Sequence, residues 1–373
     1  MFGTRIELLR LFGIPIRLDL SWFVVALLIA WSLATGLFPQ VAPGLSPRAY
    51  WVMGVTGALG LFASILLHEF SHAWVARRHA IPIEGITLFI FGGVAEMGGE
   101  PPSPKAEFRM AAAGPVVSIV LGGLLLGLTA LLDGGPPLIS GVLGYLGFIN
   151  LVLAAFNLVP AFPLDGGRIL RSALWHWKQD LRWATRIAAR LGTGFSVVLM
   201  LLGVVRVVSG DFVGGMWSFL IGMFLRQASQ GAYQAALARK ALEGEPVRRF
   251  MTRDPVSLPA GLTLGDAVDQ YFYRYHHKLF PVTDDGRLLG CISTDELKRV
   301  PREQWSQQTV GSVVVPCSAR NAVSPDTDAL QALALMRRTG APHLLVVDAD
   351  RLAGVVTLKD LLEFFALKVE LEP

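Results

Sequence analysis

His68-Glu69-Phe70-Ser71-His72 sets two imidazoles four residues apart with a carboxylate between them. On a helix, residues i and i+4 share a face, so both rings can reach one metal ion. Neutral imidazole nitrogen and carboxylate oxygen suit zinc, held tetrahedrally with one position left to water. Zinc brings the pKa of that water to about 7, so hydroxide is at hand near neutral pH. Glu69 is then the natural general base. The alternative is a polar helix end carrying two hydrogen-bonded histidines. The motif's position weakens that alternative. It continues the apolar run Gly60-Leu61-Phe62-Ala63-Ser64-Ile65-Leu66-Leu67, and ionisable groups at membrane depth are costly and read as functional. A hydrolytic site needs a third protein ligand. The best candidate is Asp165, in Asn157-Leu158-Val159-Pro160-Ala161-Phe162-Pro163-Leu164-Asp165-Gly166-Gly167. Here two prolines and two glycines break an apolar segment around one carboxylate. Broken backbone at membrane depth is tolerated where it is buried in protein or lines a wet cavity. The competing reading is a cytoplasmic loop with a turn-forming Asp-Gly-Gly.

The elements that must carry these residues are apolar. The chain has 373 residues, 53% of them hydrophobic and 17% charged, with a mean hydropathy of +0.50. That composition argues against an ordinary soluble protein and against disorder. Crossing the hydrocarbon takes about 20 apolar residues. Four segments qualify, at 20–37, 50–76, 110–132 and 141–160, and two shorter ones follow at 191–208 and 212–225. The expected fold is therefore a polytopic α-helical membrane protein of about six transmembrane segments over residues 1–235. Residues 236–246 read as a linker and 247–373 as a separate α/β part.

Lys and Arg alternate between the loops. Arg5, Arg10 and Arg17 lie in the N-terminal arm, Arg48 stands alone in the first loop, and Arg77, Arg78, Lys105 and Arg109 crowd the second. The third loop has none, and the fourth has Arg168, Arg171, Lys178, Arg182, Arg186 and Arg190. By the positive-inside rule, the N-terminus, loops two and four and the C-terminal part face the cytoplasm. This accounts for the pI of about 9.2 without nucleic acid. The first apolar segment is long and lacks a clean cleavage site, so it is expected to be retained. Cys291 and Cys317 form no CxxC pair, and neither a disulfide framework nor a thiolate metal site is signalled.

At the H-E-x-x-H and the N-x-x-P-x-x-P-L-D-G-G segment the chain resembles the site-2 protease family of intramembrane zinc metalloproteases. The resemblance implies one zinc ion held by His68, His72 and Asp165, with Glu69 activating water. It also implies that Asn157 helps stabilise the scissile carbonyl. A side-chain amide can donate to a developing oxyanion, although an asparagine at a helix break also serves as a cap. Two further stretches resemble the family. Gly114-Pro115 is similar to the small-residue opening of its third segment, a packing feature. Residues 85–97 read as a β-hairpin flanking Gly92-Gly93, whose edge could hold an extended substrate by β-addition.

The C-terminal part contains a repeat. Residues 280–293 align with 344–357 at a constant offset of 64, with Val282/Val346, Asp284/Asp348, Arg287/Arg351, Leu288/Leu352 and Gly290/Gly354 identical. Each unit reads strand, tight turn, strand, helix. The pair resembles tandem cystathionine-β-synthase (CBS) domains, at about 247–300 and 309–373. The resemblance implies binding of ATP, ADP or AMP through G-x-x-[ST]-x-x-D. Gly354-Val355-Val356-Thr357-Leu358-Lys359-Asp360 matches fully and offers Thr357 and Asp360, whereas the first copy ends in Glu296. A dimerisation module without ligand is the alternative.

The function expected is regulated intramembrane proteolysis. A zinc endopeptidase in the cell membrane would act on transmembrane protein substrates in the lipid bilayer, under a cytoplasmic CBS pair through which copies could associate. A CBS-regulated transporter or channel is the competing class. An open three-ligand zinc site suits hydrolysis better than transit.

Overall fold

The computed structural model describes residues 5–132, 135–285, 287–349 and 351–371. Gly286 and Asp350, in the turns of the two repeats, lie outside the described residues, as do Asp133 and Gly134 of the third loop. Contacts divide the chain into two units, Met1–Gln234 and Ala235–Pro373.

The first unit opens with β1 (Arg5–Leu11) and β2 (Ile14–Asp19), joined by Phe12 and Gly13, both at positive φ (50° and 81°). Then follow α1 (Leu20–Val41), α2 (Pro47–Arg78), β3 (Ile83–Phe89), β4 (Gly92–Met97), α3 (Pro104–Leu131) and α4 (Pro137–Asn157). It closes with α5 (Asp165–Lys178), α6 (Leu181–Val208) and the part of α7 (Phe212–Leu242) that ends at Gln234. Helix starts follow capping chemistry. Ser46 and Ser103 accept from Ala49 N and Ala106 N, each with proline next in the chain, and Asp180 accepts from Trp183 N.

Among the described residues, α1, α2, α3, α4 and α6 are long and apolar enough to cross a membrane. Helix α7 is 31 residues long, but its apolar stretch stops at Arg226-Gln227, ahead of Ser229 and Gln230. The segment expected at 212–225 is thus the apolar beginning of a longer, more polar helix. Arg168 and Arg171 belong to α5, and Arg182, Arg186 and Arg190 to α6, so the charges read as a fourth loop are carried on helices.

The hairpin expected at 85–97 is present, but its turn falls at Ile90-Phe91, and Gly92-Gly93 open the second strand. It belongs to a four-stranded sheet ordered β1-β2-β3-β4. The N-terminal arm supplies half of that sheet, with β2 parallel to β3 in the register Ile16↔Ile86 and Leu18↔Leu88. Arg5 and Arg17 of the arm reach Glu96 on β4 at 2.8 and 3.0 Å. The arm's basic residues therefore hold the sheet together as well as bearing on topology.

The second unit has two four-stranded sheets. One is ordered β6 (Leu258–Pro259), β7 (Leu279–Asp284), β8 (Arg287–Ser293), β9 (Val315–Pro316). The other is β10 (Ala322–Val323), β11 (His343–Asp348), β12 (Arg351–Thr357), β5 (Thr252–Arg253). The offset of 64 recurs between β6 and β10, β7 and β11, and β8 and β12. The repeats exchange edges. β5, from the first copy, pairs with β12 of the second, and β9, from the second copy, pairs with β8 of the first. There are two buried cores, Leu258, Phe280, Val282 and Ile292 in one, and Leu344, Val346 and Val356 in the other, joined there by Val247 from the first copy.

Candidate metal centre

His68 and His72 lie one turn apart on α2, both 3% exposed. Asp165 is the first residue of α5, immediately after the break at 158–164. A carboxylate there also meets the positive end of the helix dipole. The break is anchored from two sides: Phe162 N donates to Ala188 O of α6, and Ser229 Oγ of α7 donates to Phe162 O. The Phe162–Pro163 peptide is cis. The backbone passes so close behind Asp165 that a Cβ on Gly166 would lie 2.2 Å from Leu158 O. The Asp-Gly-Gly thus packs tightly against the break, which is not the solvated turn of the competing sequence reading.

Asp165 Oδ2 lies 3.0 Å from His68 Nε2 and 3.2 Å from His72 Nε2. One ligand atom from each of the three residues falls within 4.8 Å of the others. The far side of each ring is committed: His68 Nδ1 pairs with Ser118 Oγ at 2.9 Å, and His72 Nδ1 with Met110 O at 2.6 Å. Such second contacts orient ligating imidazoles, and here they turn both Nε2 atoms toward Asp165. Room for them comes from α3. A Cβ on Gly114 would sit 2.2 Å from His72 Nε2 and 2.5 Å from His68 Nε2. Two nitrogens and one carboxylate oxygen, converging in a buried pocket with their outer atoms satisfied, fit the donor set of a zinc site with an open position.

Glu69 stands beside this cluster, and its Oε2 accepts from Ala95 N on β4 at 3.3 Å. Glu69, Asp165 and Asn157 line one cavity of about 460 Å³, with β4 on one wall and Trp217 of α7 on another. Asn157 is the last residue of α4, and its Nδ2 donates to Leu153 O at 3.0 Å. It therefore bonds back into its own helix and does not cap the next one.

Thr357 and Asp360 lie in the second unit, at the start of the Leu358–Leu371 helix. Asp360 Oδ2 accepts from Thr357 N and Oγ1, both at 2.8 Å, and Thr357 Oγ1 accepts from Asp360 N at 3.2 Å. In the first copy Ser293 and Glu296 make the corresponding capping box.

The motifs did not reveal the residues behind the ligands. Ser118 and the Met110 carbonyl carry no signature. Gly114 was legible only as packing, whereas its missing side chain is what admits the imidazoles. Glu107 on α3 is fully buried and takes Arg171 of α5 through Oε1, with Arg171 Nε at 2.7 Å. Its signal was available: a lone acid early in an apolar helix, and arginines three residues apart after Asp165.

The family model of peptidase family M50 matches residues 56–138 and 137–202. The protein named "Putative zinc metalloprotease Rip3" in Mycobacterium tuberculosis is 35% identical over 359 residues, covering 95% of this chain and 91% of its own. The chain belongs to peptidase family M50, the site-2 proteases. Zinc metalloprotease MJ0392 of Methanocaldococcus jannaschii is 30% identical over 367 residues, 97% of this chain and 96% of its own. A solved Site-2 Protease from Methanocaldococcus jannaschii is 31% identical and covers 62% of this chain and 95% of its own, with a TM-score of 0.44. The CBS-domain model matches residues 247–303 and 315–367. This site-2 protease is thus a multi-pass membrane zinc metalloprotease with two CBS domains.

Proposed function

We propose that this protease hydrolyses peptide bonds in or near the transmembrane segments of membrane-protein substrates, with His68, His72 and Asp165 as its zinc ligands. The observation that carries the reading is the convergence of those three ligand atoms beside Glu69, in a cavity walled by apolar helices and a sheet edge. Zinc bound there supplies a Lewis acid and a source of hydroxide near neutral pH. Glu69 takes the proton of the attacking water and returns it to the leaving amine. Asn157, with one amide hydrogen committed to Leu153, offers the other to the carbonyl oxygen as charge develops. β4 is the end strand of its sheet, and an extended substrate segment added to it would run past Glu69. A transmembrane helix must unwind locally to be held this way. The test is incubation of the full-length enzyme with candidate single-span substrates, mapping the cut by mass spectrometry. Cleavage within or beside the span supports the reading. Cleavage confined to soluble loops far from it contradicts the reading.

The N-terminus and the CBS pair are proposed to face the cytoplasm of a cell membrane. Arg77 and Arg78 at the end of α2 and Lys105 and Arg109 at the start of α3 then lie on the inside, and the arginine-poor loop before α2 outside. Adenine nucleotide is proposed to bind the second CBS repeat through Thr357 and Asp360, the copy with the complete motif, and the pair to associate with that of a second copy. Binding can change cleavage only through unequal affinity for two arrangements of the module.

A further inference from the structure

Arg168 lies one turn after Asp165 on α5 and lines the same cavity as Glu69 and Asn157. Its side chain is 19% exposed. Its charge is offset but its hydrogen-bonding capacity is not met. Glu107 Oε1 is 3.9 Å from Arg168 Nε, beyond hydrogen-bond reach, and accepts from Arg171 instead. Arg168 Nε is buried with no hydrogen-bond partner among the described residues. Arg168 Nη2 meets the sulfur of Met97, at the end of β4, at 3.9 Å, and a thioether is a weak acceptor. A buried guanidinium donor left unsatisfied costs free energy. The side chain that carries it lines the space a substrate would fill.

We infer that Arg168 is a substrate-binding residue that takes an oxygen of the cleaved peptide. It would hold a backbone carbonyl before hydrolysis and the newly formed carboxylate after it. Hydrolysis adds one water, giving a carboxylic acid on one fragment and an amine on the other, and the acid loses its proton to leave an anion in a low-dielectric cavity. A planar guanidinium one turn from the metal cluster recognises that anion better than a point charge does. Arg171 cannot share the task because it is committed to Glu107. This inference rests on the cavity being the active site, but its test does not use cleavage, so it can fail while the Glu69 assignment stands.

The test compares binding of N-acetyl-trileucine as the free acid and as the C-terminal amide. The protein is the full chain in detergent after metal removal, so the metal cannot select the acid. Quenching of tryptophan fluorescence reports binding, since Trp217 lines the cavity. The native protein is expected to prefer the acid by at least about tenfold. Arg168→Gln should bring that ratio near one while regaining the native zinc content on reloading. Arg168→Lys should keep part of the preference. Equal binding of acid and amide by the native protein would overturn the inference, as would an unchanged ratio in both variants. Loss of zinc in Arg168→Gln together with an unchanged ratio in Arg168→Lys would assign Arg168 a structural role and also overturn it.

Discussion

Gly114 backs directly onto the His72 ring: a Cβ at that position would sit 2.2 Å from Nε2. α3 thus approaches the proposed metal ligands at Gly114 and also bonds His72 through the Met110 carbonyl. Gly114→Ala must therefore displace one imidazole or the helix behind it. The zinc affinity of the purified full-length variant, measured by competition with a chelator, is expected to fall by about tenfold or more, in line with disturbed ligand orientation. Native zinc affinity in that variant would contradict the placement of the ligands against Gly114.

Glu107 and Arg171 tie α3 to α5, the helices that bear the His72-orienting carbonyl and Asp165. Both are buried, so removing Glu107 leaves Arg171 with only the more distant Glu100, at 3.6 Å. Glu107→Ala is expected to lose about 3–5 kcal/mol of stability, visible as a lower melting temperature in detergent. The double replacement Glu107→Leu, Arg171→Met should recover part of that loss because Arg171 is no longer buried without Glu107, although Arg168 also loses the nearby carboxylate. A double variant no better than Glu107→Ala would show that the pair contributes by attraction beyond mutual neutralisation.

The proposed orientation places Arg48 outside and Gly99 inside. Ser46 and Ser103 cap helices and are poor labelling sites, whereas Arg48 and Gly99 are exposed. In a Cys317→Ser background, Arg48→Cys should react with an impermeant maleimide added to whole cells, and Gly99→Cys only after permeabilisation. Cys291 is silent in this assay, since burial pushes its thiol up to about 11 and leaves it protonated at labelling pH. The reverse pattern would invert the topology.

Thr357 and Asp360 bond to each other at the start of a helix, so their pairing is already accounted for by capping. Asp360→Ala is expected to cost about 1 kcal/mol, because Thr357 N and Oγ1 lose their acceptor while the Thr357 cap itself remains. If the pair also recognises ribose, titration of ATP into the full chain should weaken by about tenfold, roughly the loss of one charge-assisted hydrogen bond. Equal ATP binding by Asp360→Ala and the native chain would leave capping as its role.

The sequence was readable where one residue type and one spacing carry the signal. An i, i+4 histidine pair can only share a helix face, and a carboxylate between prolines and glycines marks a helix break, so the meeting of His68, His72 and Asp165 was legible. So was the repeat, whose offset reappears strand for strand. Partners that are non-local or chemically anonymous were hidden. β2 pairs with a strand some seventy residues on and β1 with β2 alone, while their arginines speak equally for topology. The exchanged strands β5 and β9 are two residues each, too short for any periodicity. Met110 contributes a carbonyl, which no side-chain pattern encodes.

The division of labour at residues 68–72 is tested most directly by zinc content and cleavage measured together on Glu69→Gln and Asp165→Ala. The account predicts that Glu69→Gln retains about one zinc per chain and cleaves at least about 10²-fold more slowly, the usual worth of a general base. Asp165→Ala should lose both metal and activity. Glu69→Gln cleaving at the native rate, or Asp165→Ala holding a full complement of zinc, would contradict it.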